Sequence, residues 1–183
     1  EVAVLPDPAG EVILERTIEQ GLTLKKIAVP LGVVGVIYEA RPNVTVDVAS
    51  LCLRSGNGCV LKGGKEADFS NRHLIGLIQG VLAEFNVPKA AVTLLPPDRA
   101  VVNELLTATR YVDIIIPRGS ESLIQFVRKN SLVPTIETGA GVCHTYVEAS
   151  ANLTKAAGIV VNAKVSRPSV CNSLDCVLVD ESI

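Results

Sequence analysis

A cysteine near the end of the chain is the strongest candidate nucleophile in the sequence. Cys171 lies within residues 167–172, which read Arg-Pro-Ser-Val-Cys-Asn, so an arginine precedes the thiol by four positions. A nearby cation favours the thiolate, which is the form of cysteine that attacks a carbonyl carbon. Buried cysteines that only fill space are the more common case, and we assign that structural role to Cys52, Cys59 and Cys176.

Two lysines and two glycines form a second candidate site, directly after a short apolar run. They are Lys62, Gly63, Gly64 and Lys65. Open α/β sheets bind ligands at the carboxyl ends of their parallel strands, and two ammonium groups at such a place can hold a phosphate. A solvated basic loop without a ligand explains the same residues equally well.

The turn Arg118-Gly119-Ser120 is a third candidate, because it joins an apolar run to a helical pattern. Free backbone N–H groups at the start of a helix and the helix dipole both favour an anion, so this turn can hold the pyrophosphate of a dinucleotide. The sequence has no Gly-x-Gly-x-x-Gly fingerprint. An ordinary strand-to-helix turn with Ser120 as the N-cap accounts for the pattern as well.

Two polar residues after predicted strands complete the set of candidates. Asn43 follows Arg41 and Pro42, and its amide can stabilise an oxyanion, although asparagine beside proline is more often a turn or cap residue. Glu137 is either a buried base or the polar end of a strand. The two histidines and five cysteines show none of the spacings of zinc sites, so we expect no metal.

Composition narrows the classes of protein to which these candidates can belong. The chain has 183 residues, of which 48% are hydrophobic and 20% charged, as in ordinary globular domains. A net charge of −2 leaves no basic excess for nucleic acid or an anionic membrane. The longest apolar stretch, residues 27–38, is broken by Pro30 and is shorter than the roughly 20 residues of a membrane-spanning helix. The five cysteines include no Cys-x-x-Cys pair, which indicates a reducing cytosol.

The elements that must position the candidates follow the pattern of a parallel sheet covered by helices. Alternating apolar residues in 11–28 predict a β-hairpin that turns at 19–21. Short apolar runs predict strands at 33–38, 59–62, 91–95, 112–116, 134–137 and 144–147. Helical spacing predicts helices over 44–54, 74–85, 121–129 and 152–161, the second with one buried face from Leu74 to Phe85.

Taken together, the motifs resemble one enzyme family in order and over nearly the whole chain. The shared stretches are residues 30–45, 54–58, 61–67, 114–120, 137–144, 162–164 and 167–172. They are similar to the bacterial gamma-glutamyl phosphate reductases, a branch of the aldehyde dehydrogenase superfamily. The resemblance implies an α/β fold with a Rossmann-like parallel sheet, helices on both of its faces and an N-terminal β-hairpin arm.

The resemblance also implies a reaction. An NADP-dependent oxidoreductase of this type uses NADPH to reduce L-glutamyl 5-phosphate to L-glutamate 5-semialdehyde and phosphate, in proline biosynthesis. Cys171 corresponds to the nucleophile that forms a thioester, and Asn43 to the oxyanion donor. Lys62 corresponds to the residue at the adenosine ribose, and Gly119 and Ser120 correspond to the residues at the pyrophosphate.

Glu137 matches a base that activates water in hydrolytic relatives, and a reductase acting on an acyl phosphate needs no such water. Arg41 and Arg167 are candidates for contacts with anionic groups of the substrate. The predicted site residues are Cys171 and Asn43 for catalysis, Lys62, Gly63, Gly64, Lys65, Arg118, Gly119 and Ser120 for the cofactor, and Arg41 and Arg167 for the substrate.

Along the chain we expect an oligomerisation-type hairpin arm at 1–28, part of an NADPH-binding domain at 29–138 and the start of a catalytic domain at 139–183. The resemblance implies a cytoplasmic homo-oligomer that receives its labile substrate from glutamate 5-kinase. Family members are much longer, so we expect this chain to be a segment that is inactive alone. Two alternatives stay open: another acylating aldehyde dehydrogenase, and an inactive nucleotide-binding or assembly module.

Overall fold

The computed structural model describes residues 1–39, 41–137, 139 and 141–183. The chain divides into two compact units, Glu1–Glu137 and Thr138–Ile183, and each is considered by itself. Thr138, where the expected cofactor segment ends, lies outside the described residues. In the described part of the chain, no helix combines the length and the apolar character needed to cross a bilayer.

An antiparallel hairpin opens the first unit. It consists of β1 (Val12–Thr17) and β2 (Thr23–Ile27). Gly21 in the connecting turn has a φ of 78°, a conformation that glycine adopts without steric cost. Every residue of both strands is exposed, including apolar residues such as Ile13 and Leu24. The hairpin therefore contributes nothing to the core.

Four parallel strands form the sheet of the first unit. In chain order they are β3 (Val33–Tyr38), β4 (Gly58–Lys62), β5 (Val92–Leu94) and β6 (Ile114–Arg118). They are hydrogen-bonded in the order β5-β4-β3-β6. Since all four run in the same direction, their carboxyl ends meet at one edge, where sheets of this type bind ligands.

Helices cover both faces of this sheet, as the sequence predicts. They are α1 (Asn43–Arg54), α2 (Asp68–Glu84), α3 (Arg99–Leu106) and α4 (Glu121–Asn130). Val36 of β3 belongs to a buried cluster with residues of α1 and α2, whereas the next residue, Ile37, belongs to a cluster with residues of α3 and α4. Successive side chains of a strand point to opposite faces, so β3 lies at the centre of both clusters.

The second unit contains one β-α-β crossover. Strands β7 (Cys143–Val147) and β8 (Leu174–Val179) are parallel, and α5 (Leu153–Val165) connects them. The side chain of Asn152 accepts a hydrogen bond from the backbone nitrogen of Lys155 at 3.0 Å and caps the start of α5. None of the residues of α5 is buried.

Several predicted elements differ from the structure. The strand expected at 134–137 is reduced to one bridge between Ile115 and Thr135, and the strand expected at 112–116 occupies Ile114–Arg118 instead. The prediction of one buried face on α2 is confirmed, but its membership differs: Asn71, Ile75 and Leu82 are buried, whereas Leu77 and Phe85 are 57% and 74% exposed. Apolar residues surround much of this helix, and only the side facing the sheet is buried. Neither α3 nor β8 was predicted.

Candidate functional site

A cleft of about 1100 Å³ lies at the carboxyl edge of the sheet in the first unit. Its walls come from the ends of β3 and β4, the loop before α3 and the first turns of α3 and α4. Its lining includes Glu39, Lys62, Gly63, Gly64, Lys65, Glu66, Asp98 and Arg99. Ligand pockets in proteins span roughly 300–1000 Å³, so the cleft has room for a large nucleotide.

Lys62 is the buried cation of the cleft, with only 7% of its surface exposed. Its Nζ donates to the carbonyl oxygens of Gly63 at 3.1 Å and Pro97 at 3.2 Å. A lysine ammonium has three N–H donors, so one remains beyond these two bonds. Burial lowers the pKa of Lys62, and the nearby carboxylate of Asp98 opposes part of that shift. The fold thus holds a single ammonium group in a fixed place at the cleft.

A buried hydrogen-bond chain holds the glycine that follows Lys62. Tyr38 donates its hydroxyl proton to Oγ1 of Thr45 at 2.7 Å, because Thr45 gives its own proton to Oδ1 of Asn71 at 3.0 Å. All three side chains are buried. A Cβ at Gly63 would lie 2.3 Å from Nδ2 of Asn71, so only glycine fits there. Burial also raises the pKa of Tyr38, which keeps its hydroxyl protonated as a donor.

The cleft also holds charged groups that are open to solvent. Lys65 is exposed, and so is Arg99, the first residue of α3. Asp98 caps α3 by accepting a hydrogen bond from the backbone nitrogen of Ala100 at 3.0 Å. Sequence reasoning missed Arg99, although the Pro-Pro-Asp-Arg order of residues 96–99 is a recognisable helix start after a strand.

The predicted pyrophosphate turn begins α4, and Ser120 is its N-cap. Oγ of Ser120 accepts from the backbone nitrogen of Leu123 at 3.4 Å. The carboxylate of Glu39 contacts the same turn: the nitrogen of Ser120 donates to Oε2 at 2.9 Å, and its hydroxyl donates to Oε1 at 2.8 Å. A Cβ at Gly119 would lie 2.7 Å from the carboxyl carbon of Glu39. An anion therefore already lies at the N-terminus of α4.

The lining of this cleft includes neither Asn43 nor Arg41. The predicted cofactor residues Arg118, Gly119 and Ser120 are not part of it either, although Glu39, which contacts Ser120, is. Asn43 is exposed at the start of α1, and its Nδ2 donates to Oδ2 of Asp47 at 3.1 Å. Arg41 is exposed just before α1, and its carbonyl accepts from the nitrogen of Val44 at 3.0 Å. Arg118 is exposed at the end of β6.

Glu137 forms an ion pair in the first unit. Oε1 of Glu137 lies 3.4 Å from Nε of Arg128, and the glutamate side chain is 30% exposed. The paired carboxylate is partly exposed, which differs from the environment of a buried, unpaired base. In the described part of the chain, no group of three His, Cys, Asp or Glu side chains is placed to hold a metal ion.

Cys171 lies in the second unit, in an exposed turn between α5 and β8. The Sγ of Cys143 donates to the carbonyl oxygen of Cys171 at 3.6 Å. The backbone continues into Ser173, which is buried, and Nζ of Lys164 donates to the carbonyl oxygen of Leu174 at 2.8 Å. Cys171 is thus exposed, while its own carbonyl and the backbone that follows it are held. Arg167 is exposed at the start of the same turn region.

The other cysteines have the expected surroundings with one exception. Cys52 and Cys59 are buried together in the core of the first unit. A hydrogen bond to Cys52, and then burial, raise the pKa of Cys59 far above the usual range of a thiol. Cys176 is only partly buried in β8, so the expectation that it fills space in a core is wrong.

Comparison with known proteins gives consistent matches. The Aldehyde dehydrogenase family model matches residues 7–183. A gamma-glutamyl phosphate reductase of Bacteroides fragilis is 57% identical over 181 residues, which are 99% of this chain and 44% of that protein. The chain therefore spans less than half the length of this relative.

Solved structures agree with the sequence matches. The gamma-glutamyl phosphate reductase of Thermotoga maritima has a TM-score of 0.89 and 44% identity, covering 100% of this chain and 44% of that one. A glyceraldehyde-3-phosphate dehydrogenase of Methanocaldococcus jannaschii, solved with NADP, has a TM-score of 0.67 and 25% identity, covering 85% and 35%. These matches confirm the α/β fold predicted from the sequence.

Proposed function

The chain belongs to the aldehyde dehydrogenase family, and from this we propose that it is part of an enzyme that reduces L-glutamyl 5-phosphate to L-glutamate 5-semialdehyde. The proposal is supported by relatives named gamma-glutamyl phosphate reductase. The one from Bacteroides fragilis matches nearly the whole chain and is identical at more than half of the aligned positions. Because the chain spans 44% of such a relative, the activity is proposed for the complete natural protein. We assign this reaction to proline biosynthesis.

A nicotinamide cofactor fits the residues of the first unit. Gly63 and Gly64 line the cleft without side chains, Lys62 offers a buried ammonium, and the N-terminus of α4 already holds a carboxylate as an anion. Backbone without side chains, a cation and a helix N-terminus at the carboxyl edge of a parallel sheet support a role in binding phosphate groups. When bound, the cofactor supplies a hydride.

NADPH rather than NADH is the proposed form. The 2′-phosphate of NADPH distinguishes the two cofactors, and Lys62, Lys65 and Arg99 are cations that line one cleft. Each charge-assisted hydrogen bond contributes about 1.5–3 kcal/mol, which is enough for a tenfold preference or more. Lys62 is the fixed member of the three, because two backbone carbonyls hold its ammonium.

Cys171 is the proposed nucleophile. Its thiolate attacks the acyl carbon of the substrate, the carbon–oxygen bond to phosphate breaks, and phosphate leaves with the bonding electron pair. The resulting thioester is reduced to a thiohemiacetal, whose collapse releases the aldehyde and restores the thiolate. One N–H of the Asn43 amide remains beyond its bond to Asp47, and we assign it to the oxyanion of this step.

Other assignments extend to the whole protein. We assign Arg41 and Arg167 to anionic groups of the substrate, and we assign the N-terminal hairpin to contacts between subunits of a homo-oligomer. The exposed apolar residues on β1 and β2 support the second assignment. Residues 29–138 and 139–183 are then parts of the NADPH-binding and catalytic domains. The location is the cytoplasm, and glutamate 5-kinase hands over the labile acyl phosphate.

The observation that carries the proposal is the exposed thiol of Cys171 in a chain of this family. The test measures NADPH oxidation by the complete natural protein with glutamyl phosphate and, separately, with acyl-CoA substrates. We expect turnover with glutamyl phosphate only, loss of turnover in Cys171→Ser and ordinary turnover in the control Cys176→Ser. Turnover with acyl-CoA instead indicates another acylating dehydrogenase. NADPH binding without any turnover indicates a nucleotide-binding module.

A further inference from the structure

The carboxylate of Glu39 uses the hydrogen-bond donors that a pyrophosphate needs. The backbone N–H of Ser120 carries one proton, and it points to Oε2 of Glu39 at 2.9 Å. The hydroxyl of Ser120 also has one proton, which it donates to Oε1 at 2.8 Å. Neither group can donate fully to a second acceptor at the same time. A phosphate oxygen can therefore use these two donors only after the carboxylate leaves them.

The space at the turn is filled by the same carboxylate. Gly119 carries no side chain. A Cβ added at Gly119 would lie only 2.7 Å from the carboxyl carbon of Glu39, so the carboxylate fills that space. Small backbone next to free N–H groups is the surface that a pyrophosphate approaches in dinucleotide-binding turns. Here this surface is covered from within the chain.

The position of Glu39 is also notable for the charges that it does not use. Lys62, Lys65 and Arg99 line the same cleft. In the part of the chain that the structure describes, none of these three cations forms an ion pair with Glu39. The carboxylate instead accepts both bonds from Ser120, at the positive end of the α4 dipole. The helix terminus is thus the preferred partner of this anion.

We propose that Glu39 is an internal competitor of the cofactor: its carboxylate occupies the N-terminus of α4 until a pyrophosphate displaces it, and its return promotes release of the oxidised cofactor. This inference rests on the proposed function, because it takes the cleft to be the cofactor site. In this inference, Glu39 sets the affinity of the protein for the cofactor. The backbone of Glu39 stays in place, since its nitrogen donates to the carbonyl oxygen of Arg118 at 3.1 Å.

The test measures the dissociation constant of NADPH for the complete natural protein and three variants. Glu39→Ala frees both Ser120 donors, so we expect NADPH to bind at least about tenfold more tightly. Glu39→Gln keeps the shape and removes the charge, so we expect a gain of about threefold. The control Glu66→Ala removes a carboxylate from the same cleft that does not contact Ser120, so we expect only the gain from reduced charge repulsion, smaller than that of Glu39→Gln.

Two smaller probes locate the effect within the cleft. Inorganic pyrophosphate should compete with NADPH, and its own affinity should rise in Glu39→Ala. Adenosine 2′-monophosphate lacks a pyrophosphate, so its affinity should be the same in that variant and in the unaltered protein. Dissociation of NADP⁺, followed in a stopped-flow experiment by the fluorescence of the NADPH that replaces it, should be slower in Glu39→Ala.

The outcomes separate this inference from the proposed function. If the unaltered protein binds NADPH and the Glu39 variants bind it equally or more weakly, Glu39 does not compete and the inference is wrong. An equal gain in Glu66→Ala would also overturn it, because general repulsion would then explain the result. If the unaltered protein binds no NADPH at all, the result contradicts the proposed function, and with it the inference that rests on it. Should Glu39→Ala not fold, Glu39→Gln decides.

Discussion

The two units of the chain hold their candidate groups in different ways. In the first unit, a buried chain of three side chains fixes the glycine after Lys62, and two apolar clusters support the sheet. In the second unit, α5 buries none of its residues, and Cys171 is held through its backbone alone. The fold of the first unit itself therefore fixes the loop that follows Lys62, whereas in the second unit a short turn presents Cys171.

Cysteine reactivity should show the largest contrast between the units. We expect iodoacetamide to modify Cys171 at least about a hundredfold faster than Cys59, because the pKa of Cys59 is strongly raised and the thiolate is the reactive form. Mass spectrometry of the native protein after short reaction times measures the order. In denaturant the two rates should become similar. Fast modification of Cys59 in the native protein would contradict the predicted difference in thiol reactivity between the two units.

Glycine substitutions test how tightly each unit is packed. We expect Gly63→Ala to lower the free energy of unfolding by about 1–3 kcal/mol, because its Cβ meets Nδ2 of Asn71. In α5, Gly158 faces open space, so we expect Gly158→Ala to raise the free energy of unfolding by about 0.5–1 kcal/mol. Urea denaturation measures both. A third variant, Gly76→Ala, is the control within the first unit, because Gly76 also faces open space in α2.

Removal of the buried ammonium should change cofactor selectivity. We expect Lys62→Ala to weaken NADPH binding by roughly tenfold and to leave NADH binding nearly unchanged, because only NADPH presents a 2′-phosphate. Titration with each nucleotide measures the two dissociation constants. Equal losses for both would mean that Lys62 supports the ribose or the fold instead.

A pH series gives the smallest expected effect at the same residue. Because burial lowers the pKa of Lys62 from its ordinary value of 10.5, the ammonium is present below the lowered pKa and is lost as the pH rises through it. NADPH affinity should therefore begin to fall at a lower pH than an exposed lysine would cause. Lys62→Arg, which stays charged, should show no such fall. An identical fall in that variant would assign the titration to another group.

The central part of the fold could be predicted because its pattern is local. Residues 33–38 all have apolar side chains apart from Gly35, and the strand has the predicted bounds. The eight residues of α3 were missed, since so short a helix carries few periodic positions. The strand expected at 134–137 had the right composition, but only Thr135 reaches a neighbouring strand, as a single bridge.

The candidate site was predictable where the chemistry lies within one segment. The loop from Lys62 to Lys65 lines the cleft as one short stretch of sequence. Glu39 could not be found in this way, because its partner Ser120 lies 81 positions along the chain and only the pairing of β3 with β6 brings them together. A lone carboxylate after a strand otherwise has the pattern of a solvated residue.

The strand order also has a consequence for how the protein reaches its native state. Val34 of β3 pairs with Cys59 of β4 and with Ile114 of β6, which lies much further along the chain. The entropy lost in closing a loop grows with its length, so we expect β3 and β4 to associate first and β6 to dock late. The wall formed by α4 arrives with that last strand. The cleft at the carboxyl edge of the sheet is therefore among the last features to form during folding.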